Sequence, residues 1–269
     1  MHFLYKLIKN EVRIFFTALM FYTRIPCPAW VDHSAEYINK ATRYFPLIGW
    51  IVGGLSATVF CMAIFLWNTE IATFISIIAG VLATGAFHED GFADVCDGFG
   101  GGWTKQKILD IMKDSRIGAF GGIGLVCLLL LKYLALSSLM AYSNEGVYFV
   151  FAVFIVYHSL ARLTAVSIVF YNEYAREDAD SKAKPIAQDY SWREVIGALI
   201  FGIAPLLFFL LSGYFYVLLL ILLAVVISFF SSRYFKKWLG GYTGDCLGAT
   251  EQIAEVLFIL ALIAVWKFS

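Results

Sequence analysis

The sequence predicts an all-α, polytopic transmembrane helix bundle of about seven spans, preceded by an N-terminal amphipathic or interfacial helix. Three observations lead there. Of the 269 residues, 61% are hydrophobic and only 15% charged, a balance outside that of soluble domains. Seven stretches, roughly 45–67, 71–87, 118–142, 146–170, 194–211, 213–231 and 252–268, are long and apolar enough to cross a bilayer. Basic residues fall only in alternate connections between those stretches.

Residues 3–23 are apolar but interrupted by Glu11 and Arg13, and no small-residue cleavage site follows. They read as a retained segment that spans or lies in the interface, not as a signal peptide. Lys6, Lys9, Arg13, Arg24, Lys40 and Arg43 precede the first span, whereas the Asn68-Thr69-Glu70 turn has no basic residue. Lys105, Lys107, Lys113 and Arg116 follow the second span, and Ser143-Asn144-Glu145 again has none. Arg176, Lys182, Lys184 and Arg193 sit between the fourth and fifth spans, and Arg233, Lys236 and Lys237 before the last. The positive-inside rule then places the N-terminus and the long segments 88–117, 171–193 and 232–251 in the cytoplasm. The chain reads as one integral membrane domain, 1–269, with its chemistry in those polar, glycine-rich segments.

Other classes are disfavoured by composition. Lys+Arg and Asp+Glu balance at 20 each, so no nucleic-acid partner is indicated. Cys27, Cys61, Cys96, Cys127 and Cys246 form no CxxC pair, which speaks against a zinc knuckle or a disulfide framework.

The densest polar constellation runs from His88 to Gly98. Within it Asp90, Asp94 and Asp97 are spaced i, i+4, i+7, which puts them within roughly 60° of one helix face. Their mutual repulsion calls for a counter-charge. Hard oxygen ligands suit Mg²⁺ or Mn²⁺, ions that bridge carboxylates to substrate phosphates. The plainer alternative is a solvated acidic face. The sequence puts the triad at the C-terminal end of the second span, where the helix dipole disfavours carboxylates, and this favours a metal or basic partner. Gly98-Phe99-Gly100-Gly101-Gly102 follows, a run that either brings backbone close to a phosphate or simply ends the helix.

An amphipathic helix is expected from Lys105 to Asp114, ending in Met112-Lys113-Asp114-Ser115-Arg116-Ile117-Gly118. Lys113 and Arg116 are candidates for diphosphate oxygens, Arg in the bidentate manner; anchoring at the mouth of the third span is the alternative. The glycine-rich turn Leu239-Gly240-Gly241-Tyr242-Thr243-Gly244-Asp245 leads toward Glu251. Asp245 and Glu251 are candidates to complete a metal or substrate shell; the alternative is a cap on the last span by Thr250 or Asp245, the reading preferred for Thr250, with function favoured for Asp245. Lys132 and Arg162 lie inside spans, where cations need a partner or a wet cavity. Arg162 is expected to neutralise an aspartate or a substrate phosphate, unless its head group snorkels to the interface. His158 reads as a packing residue. Tyr171 to Trp192 suits either a substrate lid or a solvated connection.

The motifs Phe87-His88-Glu89-Asp90-Gly91-Phe92-Ala93-Asp94-Val95-Cys96-Asp97-Gly98, Ile111 to Gly118 and Leu239 to Gly248 together resemble the cobalamin synthase family. Its members are also called adenosylcobinamide-GDP ribazoletransferases. The resemblance runs nearly end to end and includes Phe21-Tyr22-Thr23-Arg24-Ile25-Pro26 and Phe45-Pro46-Leu47-Ile48-Gly49. Glu89 departs from the family motif, which more often has an apolar residue there, so whether it joins the site or faces solvent stays open.

The resemblance implies a Mg²⁺-dependent phosphotransferase of the bacterial inner membrane with a cytoplasmic active site. Such an enzyme transfers the cobinamide phosphate moiety of adenosylcobinamide-GDP to α-ribazole, or to its 5'-phosphate, and releases GMP late in vitamin B12 assembly. The implied roles are Asp90, Asp94 and Asp97 as metal ligands, and Asp94, Asp97 and Asp114 as catalytic carboxylates, with Asp114 accepting the hydroxyl proton. Lys113, Arg116, Arg162 and Asp245 would bind substrate. Two alternatives stand beside this: a lipid phosphotransferase of the CDP-alcohol type, and an ion-coupled transporter. A transporter would place acids near the bilayer midplane and show paired broken helices, whereas the sequence gathers its acids at one interface. A homo-oligomer, or a complex with other corrinoid-assembly enzymes, stays open.

Overall fold

A computed structural model of the chain describes residues 2–31, 34–141, 146–175 and 190–268. The Ser143-Asn144-Glu145 turn, Arg176, Lys182, Lys184 and most of the expected lid segment lie outside the described residues.

The described residues form helices α1 (His2–Tyr22), α2 (Ala35–Ala41), α3 (Phe45–Ala63), α4 (Thr69–Thr84), α5 (Phe87–Gly101) and α6 (Lys105–Lys113). Then come α7 (Ala119–Met140), α8 (Val147–Val169), α9 (Trp192–Ile203), α10 (Leu206–Leu211), α11 (Leu219–Leu239) and α12 (Gly244–Phe268). Their only β-type pairing is an isolated bridge between Tyr174 and Tyr242. The protein is thus all-α and multi-pass. Five helices are long and apolar enough to cross a membrane, six if the bent pair α4–α5 counts as one span, so about seven is an approximate count.

At the centre stands α8, nearly all of whose residues from Phe149 to Val169 are buried. Glycines let α3 lie directly on it: a Cβ at Gly49 would meet the His158 carbonyl oxygen at 2.7 Å, and one at Gly53 that of Phe154 at 2.6 Å. Small residues at a helix crossing are how membrane bundles gain packing without a hydrophobic drive between helices. Outward-facing Leu130, Leu222, Val225, Phe229 and Phe230 are exposed, as lipid contact requires.

Two departures from the sequence reading matter for the site. The second span does not continue into the aspartate motif. Asn68 caps α4 by accepting from the Ile71 N–H at 3.0 Å, and α4 ends at Gly85 (φ +67°) and Ala86 (φ +58°), both left-handed. Two such residues reverse the helix trajectory, and α5 leaves at 89° to α4. The expected C-terminal placement of the triad is therefore corrected: Glu89 and Asp90 lie in the first turn of α5, where the dipole favours carboxylates. The dipole argument for a metal falls, while the crowding argument stays.

The last helix also starts earlier, at Gly244 instead of near residue 252. Thr243 provides the cap, its hydroxyl accepting from the Cys246 N–H at 3.3 Å, whereas Thr250 bonds back to the Cys246 carbonyl. The expected fifth span resolves into α9 and α10, broken at Ala204-Pro205, since proline brings no N–H to the ladder.

Candidate active site

The acidic motif is held by the crossing of α5 and α12. A Cβ on Gly91 would meet the Asp245 Cα at 3.0 Å, and one on Gly248 would meet the His88 carbonyl at 3.1 Å. Only glycines permit this approach. It sets Asp245, in the first turn of α12, against the segment of α5 that carries Asp90 and Asp94 on either side of Gly91. Asp90 is exposed, Asp94 half-buried and Asp97 buried.

Asp97 is engaged elsewhere. One of its oxygens accepts the Gly118 N–H at 2.7 Å, the other the Gly121 N–H at 2.8 Å. These are orphan donors at the start of α7, so Asp97 caps that helix from across the bundle and fixes the Lys113–Gly118 segment before it. No helix-face argument reveals such a role, because its partners lie on another helix. The glycine run after it is helical as far as Gly101 and packs on α6, where Cβ atoms at Gly98 and Gly102 would press on Met112 and Ile108.

At the end of α6, Asp114 and Arg116 form an exposed fork. The Arg116 Nε donates to both carboxylate oxygens at 3.0 and 3.1 Å, and a terminal nitrogen donates at 2.6 Å. The guanidinium bonds hold the Asp114 carboxyl down at about 2, and the carboxylate in turn raises Arg116. Lys113 is exposed beside this pair.

Arg162 is not at this site. It is 1% exposed and lies 2.9 Å from Glu251 and 3.3 Å from Glu255, both on α12, so the expectation of an aspartate or phosphate partner is replaced by two glutamates of the bundle interior. Lys132 reaches Glu255 at 2.7 Å and Gln252 at 2.6 Å, and His158 bonds the other Glu255 oxygen. His88 lies 3.7 Å from Glu251. Glu89 neither faces solvent nor joins the aspartates: it is 7% exposed and lines a cavity of about 20 Å³ with His88, Ser56, Lys132 and Glu255. That volume suits a single water, and the Ser56 hydroxyl, His88 Nε2 and a Glu89 oxygen have no hydrogen-bond partner there.

Among the described residues, three ligating atoms converge within 4.8 Å at His158, Glu251 and Glu255. Arg162 already supplies the positive charge between those two glutamates, and a divalent ion there would sit against both it and Lys132. The acids thus divide into an interior set neutralised by the bundle's own cations and an end set of Asp90, Asp94 and Asp245. The expectation that all acids gather at one interface holds only for the second set.

Residues 14–263 match the protein family described as cobalamin-5-phosphate synthase. The chain belongs to that family. Full-length relatives agree. It is 43% identical over 261 residues to the adenosylcobinamide-GDP ribazoletransferase of Shewanella amazonensis, covering 97% of this chain and 98% of the relative. The protein of the same name from Shewanella frigidimarina is 44% identical over 256 residues, covering 95% and 96%. That from Ralstonia pickettii is 41% identical over 263 residues, covering 97% and 99%. No solved structure matches the chain.

The end set fits a divalent cation by its chemistry. Mg²⁺ keeps several waters and takes only one or two protein carboxylates when substrate phosphates supply the rest. In this cobalamin-5-phosphate synthase family member, Asp90 and Asp94 offer that donor set, one turn apart on α5. Sequence reasoning missed Glu255, Gln252 and the inward role of His88 and Glu89. The signal that points to them is the pair of intramembrane cations, Lys132 and Arg162, which require anions at matching depth.

Proposed function

We propose that this chain is an adenosylcobinamide-GDP ribazoletransferase: it transfers the cobinamide phosphate moiety of adenosylcobinamide-GDP to α-ribazole or α-ribazole 5'-phosphate, releases GMP, and forms adenosylcobalamin or its 5'-phosphate. The observation that carries the reading is the α5–α12 crossing, which sets the α5 segment of Asp90 and Asp94 against Asp245. The family and the names of the relatives support it.

Asp90 and Asp94 would hold Mg²⁺ or Mn²⁺. Such an ion would neutralise charge building on the diphosphate. Lys113 and Arg116 grip phosphate oxygens. In the ligand-free arrangement Asp114 is a weak base because Arg116 stabilises its charge. When the diphosphate takes the guanidinium, Asp114 loses that stabilisation and its proton affinity rises. It then accepts the ribazole hydroxyl proton as that oxygen bonds to the cobinamide-side phosphorus and the bond to the GMP oxygen breaks. Asp97 positions this segment through α7, and Asp245 closes the site from α12.

The basic residues Lys105, Lys107, Lys113, Arg116, Arg233, Lys236 and Lys237 lie in the segments that lead into α7 and α12, which supports a cytoplasmic active site in an inner membrane. Incubating the purified protein in lipid nanodiscs with Mg²⁺, adenosylcobinamide-GDP and α-ribazole tests the proposal. GMP and the cobalamin product should appear in equal amounts; absence of both with folded protein sinks it.

A further inference from the structure

A cavity of about 520 Å³ opens between the C-terminal end of α8 and the turn into α12, in the range of small-ligand sites. Four phenol rings line it: Tyr171, Tyr174, Tyr190 and Tyr242. Tyr242 is 1% exposed and packs edge-on against Tyr174, with ring centroids 5.6 Å apart. The wall is pinned by backbone bonds. The Tyr242 N–H donates to the Glu173 carbonyl at 3.0 Å, and the Ala175 N–H donates to the Tyr242 carbonyl at 2.8 Å. Gly241 is required for this contact, because a Cβ there would lie 2.1 Å from the Glu173 oxygen.

The polar tips around the cavity are largely used. The Tyr171 hydroxyl bonds Ser228, and the Tyr190 hydroxyl donates to the Phe170 carbonyl. The Asn172 amide donates to Ile168 and its oxygen accepts from Ser232, both at 3.0 Å. The Glu173 carboxylate is exposed and has no side-chain partner among the described residues. The lining therefore combines aromatic side chains with a single carboxylate, a group that only accepts hydrogen bonds.

Aromatic side chains stack flat bases of any identity, so the carboxylate must decide which base fits. Guanine presents two adjacent donors, N1–H and the 2-amino group, which a carboxylate accepts together. Adenine puts an acceptor at N1, which the carboxylate repels, and a ribose-linked benzimidazole has no N–H to give. From Tyr242 to Asp245 the chain spans at most about 10 Å, so a base in this pocket leaves its phosphates near the acidic end of α5. Resting on the transferase reading, we infer that this tyrosine-lined pocket holds the guanine of the nucleoside-diphosphate donor and that Glu173 selects it through its N1–H and 2-amino edge.

Isothermal titration of the purified full chain with GMP, IMP, AMP and α-ribazole tests this. Wild type should bind GMP more tightly than IMP, and IMP more tightly than AMP. Glu173→Ala should weaken GMP binding about 10- to 100-fold, the worth of hydrogen bonds to a charged acceptor, while leaving AMP unchanged; Glu173→Gln should fall between. Tyr190→Ala should weaken all three nucleotides together. The assignment fails if Glu173→Ala binds GMP like wild type, or if AMP matches GMP. It fails equally if Tyr190→Ala weakens only α-ribazole, which would give the pocket to the acceptor. Unchanged KM for adenosylcobinamide-GDP in Glu173→Ala, with GMP still released, overturns the pocket alone; a wild-type chain that releases no GMP overturns the transferase reading itself.

Discussion

Arg162 and Glu251 lie 2.9 Å apart in the bundle interior, with 1% and 0% of their side chains exposed. Sharing Arg162 with Glu255, they tie α8 to α12 below the acidic site. Removing one partner of a buried pair costs about 3–5 kcal/mol, because the other charge is left uncompensated. Arg162→Ala should therefore lower the unfolding temperature sharply in detergent. Arg162→Met combined with Glu251→Gln should recover part of the loss. If Arg162→Ala keeps its stability but raises the KM for adenosylcobinamide-GDP, the residue binds substrate instead.

Asp94 and Asp97 should separate in their phenotypes. Asp97→Ala removes the acceptor of two α7 N–H groups, and loss of a helix cap costs about 1–2 kcal/mol, so its melting temperature should drop along with its turnover. Asp94→Asn should melt like wild type, lose most of its turnover, and regain part of it at high Mg²⁺. A chelator should silence the wild type. Normal turnover by Asp94→Asn at ordinary Mg²⁺ removes Asp94 from the metal site.

Arg116 holds the Asp114 carboxyl at about 2, below its ordinary 3.8. The folded value is depressed, so the pairing is fully present above the ordinary value and is lost as pH falls through about 2. Without substrate, the Asp114 carboxyl carbon should show no NMR titration step between pH 5 and 9. Arg116→Ala should move its step up toward 3.8. A step that stays put in that variant means the fork does not hold the charge.

Gly91→Ala forces a methyl to within 3.0 Å of the Asp245 Cα. Neither helix backbone can yield cheaply, so the variant should lose about 1–3 kcal/mol of stability and a disproportionate share of its turnover as α5 and α12 part. Gly122→Ala, with nothing within 4 Å of the added carbon, is the control and should keep both. Equal turnover in the two variants would mean that the close crossing does not position the acids.

The all-helical membrane class was legible in the chain, and Asp90, Asp94 and Asp245 stood out there as candidate acids. Hydropathy and charge record the solvent around each segment, and no tertiary contact is needed to read that. Asp97 and Arg162 were legible as polar residues but not in their engagements. Glu89 carried no hint of direction, because the bend at Gly85-Ala86 decides which way the motif helix points, and a left-handed alanine has no sequence signature. Lys132 and Glu255 are 123 positions apart, and the four tyrosines of the pocket come from segments on either side of α9, α10 and α11. Local pattern thus determined what the chain is dissolved in and which side chains carry charge. Packing alone decided which charges meet, because pairing between distant residues depends on helix crossings that glycines permit and no short window of sequence contains.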